Sequence, residues 1–89
     1  MDLSELQVFL TVAREGSFSR AAERLYRTQP AVSLAIRKLE DSLGQPLFVR
    51  GARPVRLTDA GTLLKDYAER LLNLRDEVKK GLGELEGLT

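Results

Sequence analysis

Gln29, Pro30, Ser33, Leu34 and Arg37 recur at spacings that put them on one side of a helix, and their types suit recognition better than catalysis. A glutamine amide pairs a donor with an acceptor, the combination that matches N6 and N7 of adenine. Pro30 and Leu34 offer apolar contact to a thymine methyl, and Ser33 keeps the surface low enough for close approach. Arg37 and Lys38, further along, suit phosphates. Each residue also has an ordinary reading: Gln29 as a first-turn polar group, Pro30 as a good helix starter, Leu34 as one exposed leucine among many. Reaction chemistry has little to work with. There is no cysteine and no histidine among the 89 residues, which removes thiolate zinc sites, disulfides, Cys and His nucleophiles and the commonest general base. Glu40 and Asp41 are adjacent carboxylates and so point to different sides of a helix, with no convergent partner in the sequence. No cofactor is expected, and no enzymatic activity.

Charge supports the same surface. The net charge is only +1, but residues 17 to 58 hold eight Arg and Lys against three acids, while the segments on either side are each acidic by two charges. A basic middle suits a polyanion docked on one part of the molecule; clustering of solvated charge is the alternative. Arg20, Arg27, Thr28, Arg37, Lys38, Arg50, Arg53 and Arg56 are the candidate contacts to phosphates or the minor groove. Arg24 is equally able to pair with a nearby acid.

The elements that must position these groups are legible as helices. Asp2 with Glu5 forms a capping-box start, and Leu3, Leu6, Phe9, Leu10 and Ala13 repeat at threes and fours, so residues 3 to 15 are expected to be helical, with Gly16 as the stop. Ser17 or Ser19 caps a second helix with Phe18, Ala21, Ala22 and Leu25 as its stripe; the paired alanines allow a close helix crossing. After a three-residue turn, Tyr26 to Thr28, a third helix begins with Thr28 as cap and buries Val32, Ile36, Leu39 and Leu43. Two helices across so short a turn match a helix-turn-helix, although the glycine often found in the turn is missing. Gly44 and Pro46 end the third helix. In "LFVRGARPVRLT", residues 47 to 50 and 54 to 57 are expected to form a two-stranded hairpin with a basic tip. The expected fold class is therefore mainly α: a winged helix-turn-helix of three helices and a two-stranded wing over residues 1 to 58, followed by a long dimerisation helix over residues 59 to 89.

Residues 1 to 61 resemble the N-terminal DNA-binding domain of LysR-type transcriptional regulators. The resemblance is carried by "LQVFLTVAREGSFSRAAERLYRTQPAVSLAIRKLEDSLGQPLFVR" and "RLTDAG", in register with the family pattern and without insertion. It implies that Gln29, Pro30, Ser33 and the residue at 34 face the bases, that Arg50 and Arg53 serve the wing, and that a larger effector-binding domain usually follows. Position 34 is commonly arginine or another polar residue in the family; here it is Leu34.

The last segment is expected to join two copies. Thr58 caps it, Asp59 suits its first turn, and no proline follows. Leu64, Leu71, Val78 and Leu85 recur every seven residues, as do Tyr67, Leu74, Gly81 and Leu88, which makes a heptad seam. A helix of about 42 Å is too long to bury that seam on a 60-residue domain. The seam packs either on a further domain or on its copy in a homodimer; the resemblance implies an antiparallel coiled coil. Gly81, Gly83 and Gly87 are expected to loosen its end.

Together these features predict a homodimer, with a tetramer open to the full-length protein, that binds double-stranded DNA at an inverted repeat and regulates transcription in the cytoplasm. No apolar run is long enough to cross a membrane, and any small-molecule effector acts through a domain missing from this chain. A pure protein-interaction module is the rival; it shows no salt-dependent binding to any duplex.

Overall fold

The computed structural model describes residues 1–87, and the described residues form four helices. Helix α1 (Leu3–Glu15) starts on the expected capping box: Glu5 N donates to Asp2 Oδ1 at 2.7 Å and Asp2 N donates to Glu5 Oε1 at 3.1 Å. Gly16 ends it in the left-handed region at φ 67°. Ser17, rather than Ser19, caps α2 (Phe18–Leu25), its hydroxyl accepting from Arg20 N at 3.2 Å. Thr28 caps α3 (Gln29–Leu43), accepting from Ala31 N at 3.3 Å. Helix α4 (Asp59–Gly87) starts where Thr58 Oγ1 accepts from Gly61 N at 3.0 Å and donates to the Pro46 carbonyl at 2.6 Å.

Helix α1 is the centre of the packing and touches the other three. Leu6, Phe9, Leu10 and Val12 are buried on it; Ala21 and Ala22 of α2, Val32, Ile36 and Leu39 of α3, and Ala68 and Leu72 of α4 complete the core with Leu47 and Phe48. The small alanines allow the tight crossing that their size predicts. The Phe48 ring meets Phe9 at 5.4 Å and Phe18 edge-on at 5.7 Å between centroids, so the 45–58 segment is anchored to α1 and α2 by aromatic contact. Leu43 is not a core residue: it is 38% exposed, where the third helix has run past the core.

The expected wing is corrected. Among the described residues there is no β-strand, so the two-stranded wing and the winged class are replaced by a mainly helical fold with an irregular loop. One antiparallel bridge, Phe48 with Leu57, is present, and Val49 N donates to the Arg56 carbonyl at 2.8 Å. The ladder stops there for three reasons. Pro54 has no N–H; the next donor, Val55 N, turns to the Gly16 carbonyl at 3.0 Å; and Leu47 and Phe48 are buried in succession, which strand alternation forbids. What read as hairpin alternation is a loop tied to its surroundings.

The same loop fixes the start of α4. Thr58 N donates to the Leu47 carbonyl at 3.0 Å, and a Cβ built on Gly61 would collide with that carbonyl and with Leu57. Glycine at 61 therefore lets the helix lie directly on the loop backbone. Beyond Leu72, α4 leaves the core, which accounts for the 53 Å long axis of a body only 25 by 20 Å across. It is helical through Gly81 and Gly83 to Gly87. Leu88 lies outside the described residues. No described helix is long and apolar enough to cross a membrane.

Candidate nucleic-acid interface

The turn between α2 and α3 closes without glycine. Tyr26 takes the left-handed conformation itself, at φ 54° and ψ 43°, and its N–H bonds to the carbonyls of Ala22 and Glu23. Arg27 N reaches back to the Ala22 carbonyl at 3.0 Å, completing a Schellman-type end. Tyr26 itself stands 97% exposed. The next residue but one, Thr28, is already the cap of α3, so the two helices are held by backbone bonds on both sides of a three-residue turn.

Helix α3 then splits into two faces. Val32, Ile36 and Leu39 are buried, whereas Gln29, Pro30, Leu34 and Arg37 are exposed and Ser33 is half-buried. The outer face holds together locally: Gln29 Nε2 donates to Ser33 Oγ at 3.3 Å, one helical turn away. That bond uses one of two amide hydrogens and leaves the amide oxygen and the other hydrogen free, which is what an adenine edge requires. Leu34 is 49% exposed beside it.

Exposed cations lie on α2, on the turn, on α3 and on the loop that follows it. Arg20, Arg27, Arg37, Lys38, Arg50, Arg53 and Arg56 are all exposed, and among the described residues none has a carboxylate within ion-pair distance. Arg24 differs from them, since it pairs with Glu15 at 3.3 Å. An open groove of about 1160 Å³ runs between the start of α2, the start of α3 and the loop, and brings Arg20, Gln29, Arg50 and Arg53 together. Pro30, Ser33, Leu34, Arg37 and Lys38 lie outside it along α3, and Arg27, Thr28 and Arg56 also fall outside its lining.

Other positions carry the interface without belonging to it, and the sequence pattern missed them. Glu40 holds structure: its carboxylate accepts from Leu47 N at 2.7 Å and fastens the loop to α3. Its signal was a carboxylate one turn before a Gly-x-Pro stop. Gly61 had a signal too, a glycine in a helix's first turn. Tyr26 had none beyond its place after an apolar stripe.

A second exposed surface runs along α4. Tyr67, Leu71, Leu74, Val78 and Leu85 are exposed as the heptads predict, but Leu64 packs partly against the core, and Leu63 and Leu82, which the heptads omit, are exposed on the same side. At its edge Arg70 lies 4.5 Å over the Tyr67 ring and bonds to Asp66 at 2.8 Å. The Asp66 hydrogen bond, then its charge, raises the Arg70 pKa above its ordinary value.

Residues 3–62 match the pattern of the bacterial regulatory helix-turn-helix proteins of the lysR family. The chain belongs to the LysR family. Its helix-turn-helix is therefore the pair α2 and α3. This LysR-family chain is 45% identical over 86 residues to a probable RuBisCO transcriptional regulator of Synechocystis sp., an alignment that takes in 97% of the chain and 25% of the relative. It spans about a quarter of the length of the curated relatives of that kind. Among solved structures it is similar to BenM_DBD in complex with catB site 1 DNA, with TM-score 0.93, 38% identity and 96% of each chain covered. It is also similar to Vibrio fischeri DarR in complex with DNA, with TM-score 0.93, 36% identity, and cover of 100% of this chain and 30% of that one.

Proposed function

We propose that this chain is the DNA-binding part of a dimeric transcriptional regulator that recognises double-stranded DNA by sequence. The observation that carries the reading is the coincidence of a pre-ordered outer face on α3, made by Gln29, Pro30, Ser33 and Leu34, with seven exposed cations that among the described residues have no carboxylate within ion-pair distance, in a fold similar over nearly its whole length to a domain solved with DNA. Gln29, Pro30, Ser33 and Leu34 read base edges in the major groove, and Leu34 favours thymine methyls where a basic residue favours guanine. Arg20, Arg27, Thr28, Arg37, Lys38, Arg50, Arg53 and Arg56 bind phosphates or the flanking minor groove. Residues 1–58 form the DNA-binding unit and residues 59–89 the linker that pairs two copies through Tyr67, Leu71, Leu74, Val78 and Leu85, with Leu64 at the margin. A two-fold pair sets two α3 helices about 34 Å apart, one turn of the duplex, which calls for an inverted-repeat site. An effector acts through a further domain of a longer protein, and the site of action is the cytoplasm.

The test is selection of bound sequences from random duplex DNA, combined with sedimentation. The expected result is an inverted repeat bound by dimers, with affinity falling steeply as salt rises. Binding that is indifferent to both sequence and salt would sink the reading.

A further inference from the structure

Among the described residues no other large apolar or aromatic side chain is as exposed as Tyr26. Its backbone is also left-handed, at φ 54° and ψ 43°, a conformation that glycine or asparagine adopts at lower cost. Its N–H is used in the bonds that close α2, but among the described residues no hydrogen bond, ion pair or ring contact engages its side chain. The fold therefore carries a cost at this position and gains no contact from the ring or its hydroxyl.

We propose that Tyr26 binds the DNA backbone at the edge of the major groove that α3 enters, its hydroxyl donating to a phosphate oxygen and its ring lying against the adjoining deoxyribose. This contact rests on the DNA-binding function proposed above and adds a residue to it. In a helix-turn-helix the first helix crosses the backbone while the second reads base edges from its N-terminal end, so the turn between them falls at the boundary of bases and backbone. Tyr26 stands in that turn, two residues before the Thr28 cap and three before Gln29. A phenol suits the backbone: its O–H is a neutral donor to a phosphate oxygen, and its ring matches the apolar sugar beside it.

The surroundings favour this partner over a protein. Glu23, Arg24, Arg27 and Thr28 are all exposed and polar, Leu25 packs partly against the core, and the next exposed leucine is Leu34, on the second turn of α3. One ring among charges makes no contiguous apolar patch of the kind that protein interfaces bury. The turn is also already ordered. Arg27 N bonds to the Ala22 carbonyl at 3.0 Å and Ala31 N to Thr28 Oγ1 at 3.3 Å, so binding has only two side-chain torsions to fix. The phenol differs from neighbouring Arg27 in one measurable respect: being neutral, it releases no condensed counterion when it meets a phosphate.

Tyr26→Phe keeps the ring and deletes the hydroxyl. It is expected to weaken a duplex recovered by selection and its scrambled counterpart by the same factor, about three- to tenfold, with the slope of log affinity against log salt unchanged. Arg27→Ala should weaken both duplexes and reduce that slope by about 0.9. Tyr26→Gly, which also removes the ring and relieves the turn, is expected to lose more affinity than Tyr26→Phe while unfolding at no lower urea concentration than the parent, which separates the lost contact from a damaged fold. Tyr26→Phe binding as tightly as the parent overturns the hydroxyl contact, and a loss confined to the selected duplex makes Tyr26 a base reader and overturns the backbone assignment; both leave the DNA-binding function standing. A parent chain that binds no duplex overturns that function and the contact with it.

Discussion

Two helices of this protein turn apolar residues to solvent, and they do so in opposite ways. On the outer face of α3 one leucine, Leu34, stands among a glutamine, a proline, a serine and an arginine, and the helix's other exposed leucine, Leu43, lies at its far end. On α4, seven large apolar side chains follow one another from Leu63 to Leu85, with charges only at the borders. One exposed leucine among hydrogen-bonding groups suits a partner that is itself mostly polar and charged, whose apolar features are isolated methyl groups. A continuous stripe suits another stripe, since contiguous apolar surface on this scale is costly to leave in water. Under the proposed function, the difference matches DNA to one face and a second copy of the chain to the other.

The sharpest way to break that division is to put charge into the stripe. Leu71→Glu/Leu74→Glu removes two buried leucines from each copy of the proposed pair, and at about 1.5–3 kcal/mol per buried side chain the dimer dissociation constant should rise at least about 100-fold. Sedimentation measures this, and far-UV circular dichroism should show the helices of residues 1–60 retained. Affinity for an inverted repeat should collapse along with the dimer, while affinity for a half-site changes little. A variant that remains dimeric would detach the stripe from self-association.

The reciprocal change on α3 should leave assembly untouched. Leu34→Arg is expected to shift preference at one base pair of each half-site from thymine toward guanine, by about 1–3 kcal/mol of discrimination, with the sedimentation profile unchanged. Binding-site selection reads this directly; an unaltered preference would remove Leu34 from the reading face.

Much of this contrast was legible in the sequence, and what was illegible has a common cause. The helix starts at Asp2, Thr28 and Thr58 and the stops at Gly16 and Gly44 were readable because a cap is a contact between residues at most four apart. The loop at 45–58 was not, because its course is set by bonds to distant groups: Val55 to Gly16, Leu47 to Glu40 and Thr58 to Leu47. Alternation at Val55 and Leu57 imitated a strand that those bonds do not allow. The exposed side of α4 was only partly legible for a similar reason. Heptad counting finds a period but not the side on which the core lies, so it took Leu64, which faces that core, and passed over Leu63 and Leu82, which do not. On the candidate interface, the residue types and their face were readable, while the Glu40 and Tyr26 backbone devices that hold the face in place needed coordinates.

Phosphate contacts should produce a smaller effect than base contacts and one of a different kind. Arg53→Ala is expected to weaken every duplex by a similar factor, roughly three- to tenfold near physiological salt, and to reduce the slope of log affinity against log salt by about 0.9, one counterion's worth. Sequence preference and dimerisation should both hold. Titrations at several salt concentrations on a matched and a scrambled site test this, and a loss confined to the matched site would make Arg53 a base reader.

The smallest expected effect is on stability and concerns the turn on which the α3 face is built. Tyr26 occupies a left-handed conformation that costs a residue with a Cβ about 1–2 kcal/mol, and at 97% exposure its ring recovers little by burial within the chain. Tyr26→Gly removes that cost and adds some freedom to the unfolded chain, so a net gain of about 0.5–1 kcal/mol is expected in urea unfolding. The α4 stripe is distant from this turn, and dimerisation should not respond. If stability falls instead, the ring supports the turn through a contact formed in solution, and the cost to the fold on which the backbone contact is argued disappears. A rise in stability beside a loss of DNA affinity for all sequences alike sets the N-terminal boundary of the α3 face at Tyr26, where the chain departs from glycine.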